Sequence, residues 1–406
     1  MTGPVRSPSA PAARRGAVPD DGHLDELAGA PVLVAGAGVS GRAAAAALVE
    51  LGARVTVSDA SPAALRDLPA GAVAAPTEDL PPGTRLVVTG PGRRPDHPLV
   101  AAAAAAGVPL VGEPELAWWL GATRSRHGGA DPPTWLVVTG TNGKTTTTGM
   151  LEAILRAAGL DAVACGNIGY PTVDAVRAGR RVLAVELSSF QLHWSPSVVP
   201  AAGCVLNVAD DHLDWHGSAA AYAAAKARAL RGAVAVAGVD DLPAAALLAA
   251  CPAPRRVGVT LGAPGPGQLG IVDGALVDRA FGDAAGPGAG GTALADVAAV
   301  RPGGPPGLTD ALAAAALARG AGVAPAAVAA GLAGFRPGPH RADPVATVAG
   351  VRYVDDSKAT NPHAAAASLA AVAPAPVVWI VGGLLKGASV DELVARHAAG
   401  LRAAVV

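Results

Sequence analysis

Short apolar runs closed by glycine or a polar residue alternate along this chain with longer alanine-rich stretches. Runs of that kind, apolar at consecutive positions, are what strands covered on both faces require, and alanine-rich stretches between them predict the crossover helices of parallel sheets. The pattern predicts strands at 31–35 (PVLVA), 54–57, 86–89 and 109–111, with a helix from the glycine turn GAGVSG through residue 51. After a stretch rich in Gly, Pro and Arg at 121–133, it restarts with TWLVVT at 134–139 and a helix through 158. Strands at 182–186, 203–207 and 233–237 follow, with a helix at 219–230. Residues 261–307 are dominated by Gly, Pro and Ala, with a weak hairpin at 270–277, and predict an irregular excursion. Helices at 309–318 and 325–334 close this second unit, and 352–355, 362–372 and 377–381 predict strand, helix and strand of a third. The division expected is a disordered lead-in at 1–30 and units at 31–120, 134–338 and 340–406. The last is short for a domain and is expected to be incomplete.

Composition narrows the class. With 406 residues the chain can build more than one core, and a net charge of -1 gives no bulk field toward nucleic acid or an anionic membrane. Neither partner is expected. The uncharged run 98–112 is broken by Gly107 and Pro109 and is shorter than the ~20 residues of a membrane span. Cys165, Cys204 and Cys251 lie far apart with no CxxC spacing, the pattern of reduced thiols in a cytoplasmic protein.

The rare residues carry more information than the common ones. Of the 31 basic residues only Lys144, Lys226, Lys358 and Lys386 are lysine, and the asparagines are Asn142, Asn167, Asn207 and Asn361. Arginine supplies surface charge equally well, so lysine persists where a compact ammonium or a neutralisable amine is needed.

GAGVSG places Gly36, Gly38 and Gly41 between a strand and a helix, and Asp59 ends the next strand 21 residues beyond Gly38. This is the arrangement of a diphosphate at a helix N-terminus with an acid beyond it, and it leaves NAD and UDP compounds unseparated. GTNGKTT offers the amides of Gly140, Thr141, Asn142, Gly143, Lys144, Thr145 and Thr146 to phosphates, with Lys144 reaching the outer ones and Thr145 a Mg2+. It departs from the usual phosphate loop in carrying Val138 where the first glycine stands. Glu186 closes an apolar strand, a natural Mg2+ partner. Asp210, Asp211, His212 and Asp214 crowd one loop, a donor set suited to Mg2+ or Mn2+ and not to zinc. Lys226, on an alanine-flanked helix, is a candidate neutral amine open to carbamylation by CO2. DDSKATNPHA puts Asp356, Ser357, Lys358 and Thr360 before a helix N-terminus, and GGLLKGA repeats the logic with Lys386.

Taken together, GAGVSG, GTNGKTTTT, CGNIGYP, ELSSFQL, DDHLDWHG, AAKARAL, HR and DDSKATNPHA resemble the Mur ligase family, in the right order over about residues 31–400. The DSKATN segment and the front domain point to its D-glutamate-adding branch. The resemblance implies a three-domain α/β fold: a Rossmann-like N-terminal domain that binds UDP, a central P-loop ATPase domain and a Rossmann-like C-terminal domain, here incomplete. It implies an enzyme of peptidoglycan precursor synthesis, cytoplasmic and monomeric. ATP would phosphorylate the carboxylate of UDP-N-acetylmuramoyl-L-alanine, and the amine of D-glutamate would attack the acyl phosphate. By matching position, Thr145 and Glu186 would hold one Mg2+, and His212 with carbamylated Lys226 the second. Asn167, Ser188 and Gln191 would line the muramoyl-alanine channel. Arg341, Asp356 and Lys358 would meet ATP, and Thr360 and Lys386 the D-glutamate carboxylates. The expected catalytic group is Lys144, His212, Lys226 and Lys358. Pro306, Gly307 and Asp310 replace the His and Asn residues of the family's adenine-side segment, and Gly238 stands before the paired Asp240 and Asp241 where the family has asparagine. Other readings are another amide ligase of this or the folylpolyglutamate type, and a UDP-substrate-binding fragment impaired in turnover. An NAD-dependent dehydrogenase rests on GAGVSG alone and conflicts with the phosphate loop.

Overall fold

The computed structural model describes residues 24–76, 79–282, 291–383 and 389–406. The front unit is a parallel sheet of β1 (Pro31–Ala35), β2 (Arg54–Ser58), β3 (Val73–Ala75), β4 (Leu86–Thr89) and β5 (Leu110–Gly112), in the order β3-β2-β1-β4-β5. α1 (Val39–Glu50), α2 (Pro98–Ala105) and α3 (Glu113–Arg126) complete it. Strand order reverses at β1, so the crevice beyond the carboxyl ends of β1 and β4 is where such a sheet takes a ligand.

Two of the expected boundaries move. Leu24 and Leu27 are buried in the front core, and Asp25 pairs with Arg126 and His127, so ordered packing begins inside the expected lead-in. The helix α3 also runs into the expected 121–133 linker, because Trp118, Trp119 and Leu120 are buried and carry the helix past Gly121.

The central sheet has nine strands in the order β14-β13-β12-β11-β10-β9-β6-β8-β7. They are β6 (Thr134–Thr139), β7 (Ala162–Gly166), β8 (Val182–Glu186), β9 (Ala202–Val205), β10 (Val234–Gly238), β11 (Arg255–Val259), β12 (Gln268–Val272), β13 (Ala275–Asp278) and β14 (Thr292–Asp296). Its helices are α4 (Lys144–Ala157), α5 (Thr172–Arg177), α6 (Ser189–His193), α7 (Leu213–His216), α8 (Ala219–Ala227), α9 (Leu242–Ala250), α10 (Gly304–Gly320) and α11 (Pro325–Gly334). The expected excursion at 261–307 is largely ordered: β12, β13 and β14 extend the sheet, the last two antiparallel, with Leu269, Leu276 and Leu294 buried. Alternate burial along short strands is masked in an Ala/Gly/Pro-rich sequence, which is why the pattern was weak there. α10, almost all alanine and leucine from 311 to 318 and buried throughout that stretch, lies under the sheet beside α4.

The third unit consists of an antiparallel pair, β15 (Asp343–Val348) with β16 (Val351–Asp355), a parallel pair, β17 (Val377–Ile380) with β18 (Leu401–Val405), and α12 (Pro362–Val372) with α13 (Asp391–His397). Val345, Tyr353 and Ile380 remain exposed on these strands. Among the described residues no helix is long and apolar enough to cross a membrane.

Candidate active site

The front crevice is a cleft of about 660 Å3 lined by Gly36, Asp59, Gly90, Arg93, Arg94 and His97, among others. Gly36 (φ 121°) makes the tight turn after β1, and Gly38 caps α1 with open space where a side chain would stand. A Cβ on Gly41 would sit 1.8 Å from the Gly36 carbonyl oxygen. Gly41 is therefore a packing glycine, whereas Gly38 has open space beside it. Gly41→Ala is expected to destabilise the front unit by more than about 3 kcal/mol, a size reserved for severe steric or burial defects. Gly38→Ala should melt like the parent and lose affinity only for a diphosphate ligand, as thermal unfolding with and without UDP would read. Asp59 lines the cleft, and its two oxygens accept from the amides of Ala37 and Ser61, at 2.7 and 2.8 Å, and so brace the turn. Those bonds hold its carboxyl below the usual range.

The second cluster forms where the central sheet reverses direction, at the end of β6. Gly143 adopts φ 86° as N-cap of α4, and a Cβ there would strike Asp310 Oδ1 at 2.2 Å. Lys144 Nζ donates to the carbonyls of Gly140 (3.0 Å) and Thr141 (2.9 Å), and Lys226 Nζ donates to the same Gly140 oxygen at 2.8 Å. Two amines thus meet on one phosphate-loop carbonyl. Burial lowers the Lys144 pKa, opposed by Glu186, Asp211 and Asp310. Lys226, 1% exposed, is pulled well below the ordinary lysine value by burial and then by Lys144.

The amide cradle is smaller than the motif predicts. Thr141 N–H donates to Asn207 O (3.0 Å) and Asn142 N–H to Asn207 Oδ1 (2.9 Å), while Asn207 Nδ2 returns a bond to Asn142 O. Thr141 Oγ1 is held by Tyr222 OH (2.9 Å) and by the Ala209 amide. The Thr141 and Asn142 amides are thereby spent inside the protein, whereas the first-turn amides of α4, at Lys144, Thr145 and Thr146, have no acceptor inside the helix. Asn207 and Tyr222 were absent from the sequence-based site; the scarcity of asparagine was the signal for the first, and nothing local marked the second.

Glu186 is 1% exposed, and Asn167 Nδ2 donates to its Oε1 at 2.9 Å. Among the described residues its Oε2 is buried with no hydrogen-bond partner. A buried carboxylate oxygen left over beside a lysine and a phosphate loop is a chemical fit for a divalent cation. The Asp210–Asp214 loop is more open. Asp210 and Asp214 point to solvent, Asp211 Oδ1 accepts from the His212 amide, and among the described residues no three His, Cys, Asp or Glu converge to hold a metal. His212, at φ 53°, packs its ring on Phe190 (4.7 Å between centroids) with Nε2 3.4 Å from Asp211. The Tyr222 ring neighbours both it and Lys226, 6.5 Å from the His212 ring centroid and with Lys226 Nζ 4.5 Å from its own.

Ser188 and Gln191 cap α6 reciprocally: Gln191 N–H donates to Ser188 Oγ, and Ser188 N–H donates to Gln191 Oε1. Gln191 also borders a small cavity with Ser40, Thr89, Glu113 and Trp194, between the front and central units. Trp194 and Trp215 reach across that boundary and donate to the carbonyls of Arg93 and Gly92, each at 3.2 Å. The cleft and the phosphate loop are therefore fixed relative to each other by two indoles.

In the third unit Asp356 is occupied within its own unit, accepting from Ala342 N–H (3.0 Å) and from the Ser368 hydroxyl. Arg341, Ser357, Lys358 and Thr360 lie around it, the last three exposed. Lys386 lies outside the described residues. Asp310, in the adenine-side segment, is buried against Gly143, and burial pushes its carboxyl up to about 8.

Comparison with known proteins agrees with this arrangement. The family model "Mur ligase middle domain" matches residues 138–258, and "Alanine dehydrogenase/PNT, C-terminal domain" matches residues 12–78. A UDP-N-acetylmuramoylalanine--D-glutamate ligase of Rhodococcus jostii (strain RHA1) is 56% identical over 398 residues, covering 95% of this chain and 77% of that protein. The protein of the same name from Mycolicibacterium vanbaalenii is 57% identical over 375 residues, covering 90% and 74%. Among solved structures, a murein peptide ligase mpl from Psychrobacter arcticus 273-4 superposes with a TM-score of 0.51 at 17% identity, covering 93% of this chain and 91% of that one, a likeness of fold. With over half its residues identical to these ligases across nearly its whole length, the chain belongs to the UDP-N-acetylmuramoylalanine--D-glutamate ligase family.

Proposed function

We propose that this chain joins D-glutamate to UDP-N-acetylmuramoyl-L-alanine at the expense of ATP, in peptidoglycan precursor synthesis. The observation that carries the chemistry is the meeting of Lys144 and Lys226 on the Gly140 carbonyl, at the mouth of the phosphate loop and beside Glu186. A carboxylate is a poor electrophile and repels a nucleotide. Lys144 and the α4 first-turn amides draw charge from the outer phosphate, so the substrate carboxylate can attack its phosphorus, break the bond to the β-phosphate oxygen, release ADP and form an acyl phosphate. The amine of D-glutamate then attacks the acyl carbon, and inorganic phosphate leaves.

The front cleft with Gly36 and Gly38 would receive the UDP portion, Gly41 packing the turn beneath it, and Asn167, Ser188 and Gln191 would line the muramoyl-alanine channel. Thr145 and Glu186 would hold one Mg2+ and His212 with Lys226 a second, the ion supplying Lewis-acid charge neutralisation to the phosphates. The unprotonated tendency of Lys226 supports its carbamylation, in which the amine lone pair adds to CO2 and the nitrogen loses a proton. Arg341, Asp356 and Lys358 belong on the ATP side, and Thr360 with Lys386 on the amino-acid side. We place the activity in the cytoplasm and in a single chain, in keeping with three free, buried cysteines.

The test is phosphate release from ATP and Mg2+ with UDP-N-acetylmuramoyl-L-alanine, in bicarbonate, comparing D-glutamate with L-glutamate and meso-diaminopimelate. Release that depends on D-glutamate supports the assignment. Preference for either competitor would move the chain to another amide ligase, and tight UDP-substrate binding with no ADP formed would leave it a binding protein.

A further inference from the structure

We infer that the start of α12 positions the phosphate loop, with Asn361 and His363 of the third unit gripping Asn142 at the tip of the loop. This rests on the ligase reading for its catalytic consequence, though not for its geometry. Asn361 Nδ2 donates to Asn142 Oδ1 at 2.9 Å, and Asn142 Nδ2 lies 2.9 Å from His363 Nδ1. The direction of the bonds is fixed from one end. Asn361 is the N-cap of α12, and its Oδ1 accepts from Ala364 N–H at 2.8 Å, so its amide nitrogen must face Asn142. Asn142 then turns its own nitrogen to His363, whose Nδ1 has to be the unprotonated ring nitrogen.

The opposite side of Asn142 is also fully engaged, since Asn207 holds both its backbone N–H and its carbonyl. Asn142 is therefore clamped between β9 of the central sheet and α12 of the third unit. Three of the four asparagines in the whole chain meet in this one chain of contacts, in a sequence that otherwise avoids the residue. What the clamp positions is specific. Lys358 and Thr360 precede Asn361 directly, so fastening Asn361 to the loop tip delivers that segment to the phosphate end of α4. The two hydrogen bonds of the Asn142 side chain go to Asn361 and His363 of the third unit, and its role is that of a positioning residue and not a phosphate ligand.

The experiment uses the full chain and the variants Asn361→Ser, His363→Ala and Asn142→Ala, alone and paired. Serine preserves a helix N-cap but is too short to reach Asn142. Two measurements are made. Hydrogen exchange over residues 139–146 needs no substrate, and it should quicken by about fivefold for each bond lost, the worth of one net hydrogen bond. Steady-state turnover should lose about fivefold in kcat in each single variant, with KM for UDP-N-acetylmuramoyl-L-alanine unchanged. In the Asn142→Ala background, adding either second substitution should cost nothing more. Unchanged exchange in the phosphate loop, or losses that multiply when Asn361→Ser or His363→Ala is added to Asn142→Ala, would overturn the clamp. If the parent chain shows no D-glutamate-dependent phosphate release, the ligase reading fails instead, and the exchange result still decides the clamp.

Discussion

Lys144→Ala is expected to lower D-glutamate-dependent phosphate release by about 10^3-fold, the scale for removing a preorganised group that meets transition-state charge. Its Nζ lies on the Gly140 and Thr141 carbonyls, poised at the α4 N-terminus, with Glu186, Asp211 and Asp310 drawing its proton affinity up against burial. Lys144→Arg should not rescue the rate. A guanidinium is planar, needs a fork of acceptors, and has no room where Lys226 already occupies the same carbonyl. UDP-substrate binding, measured by calorimetry, should be unchanged in both variants, because the front cleft is built from other residues. A Lys144→Ala variant that retained even a tenth of the rate would remove the phosphate loop from the mechanism.

The largest pH-dependent stability effect is expected at Glu113. This carboxyl opens α3, is 3% exposed, and accepts from Val173 N–H at 2.6 Å at the start of α5, tying the front unit to the central one. Burial, despite that bond, pushes it up to about 7. A buried acid with a raised pKa stabilises fully while protonated in both states, so its contribution is intact below about 4.5, shrinks as pH rises, and is gone above about 7. Glu113→Gln keeps the acceptor oxygen and removes the charge. It should match the parent at pH 4 and be more stable at pH 8 by about 3 kcal/mol, from the size of the shift. Denaturant unfolding at the two pH values measures this. A variant less stable than the parent at pH 8 would show that the carboxylate is stabilised in place.

The β1–glycine turn–α1 and β6–phosphate loop–α4 units were legible because each depends on local chemistry. An apolar run must become a covered strand, and glycines such as Gly36 and Gly143 mark the positive φ values the turns need. The rare lysines pointed to Lys144 and Lys226 for a reason internal to the sequence, namely that arginine had been free to replace them and had not. Of the extension β12–β14 only the β12–β13 hairpin was legible, and weakly, since small residues blur the alternation that marks a half-buried strand. Asp59 and Asp356 also carry a structural role that the sequence did not show: Asp59 accepts from the amides of Ala37 and Ser61, and Asp356 from the Ala342 amide and the Ser368 hydroxyl, and a carboxylate needed for that looks the same in sequence as one needed for a ligand.

By itself, then, the sequence determined the two nucleotide-type loops, the strands that end in them and the residues that carry their charge, because these follow from neighbours in the chain. Only the tertiary structure decided that Lys226 lies on the carbonyl that Lys144 also holds, that Asn207 consumes two of the loop amides, and that α12 reaches back to Asn142. The partners in these contacts are 65 to 219 residues apart. At that separation no local preference links them, and the geometry exists only once the sheets have set the distance between their ends.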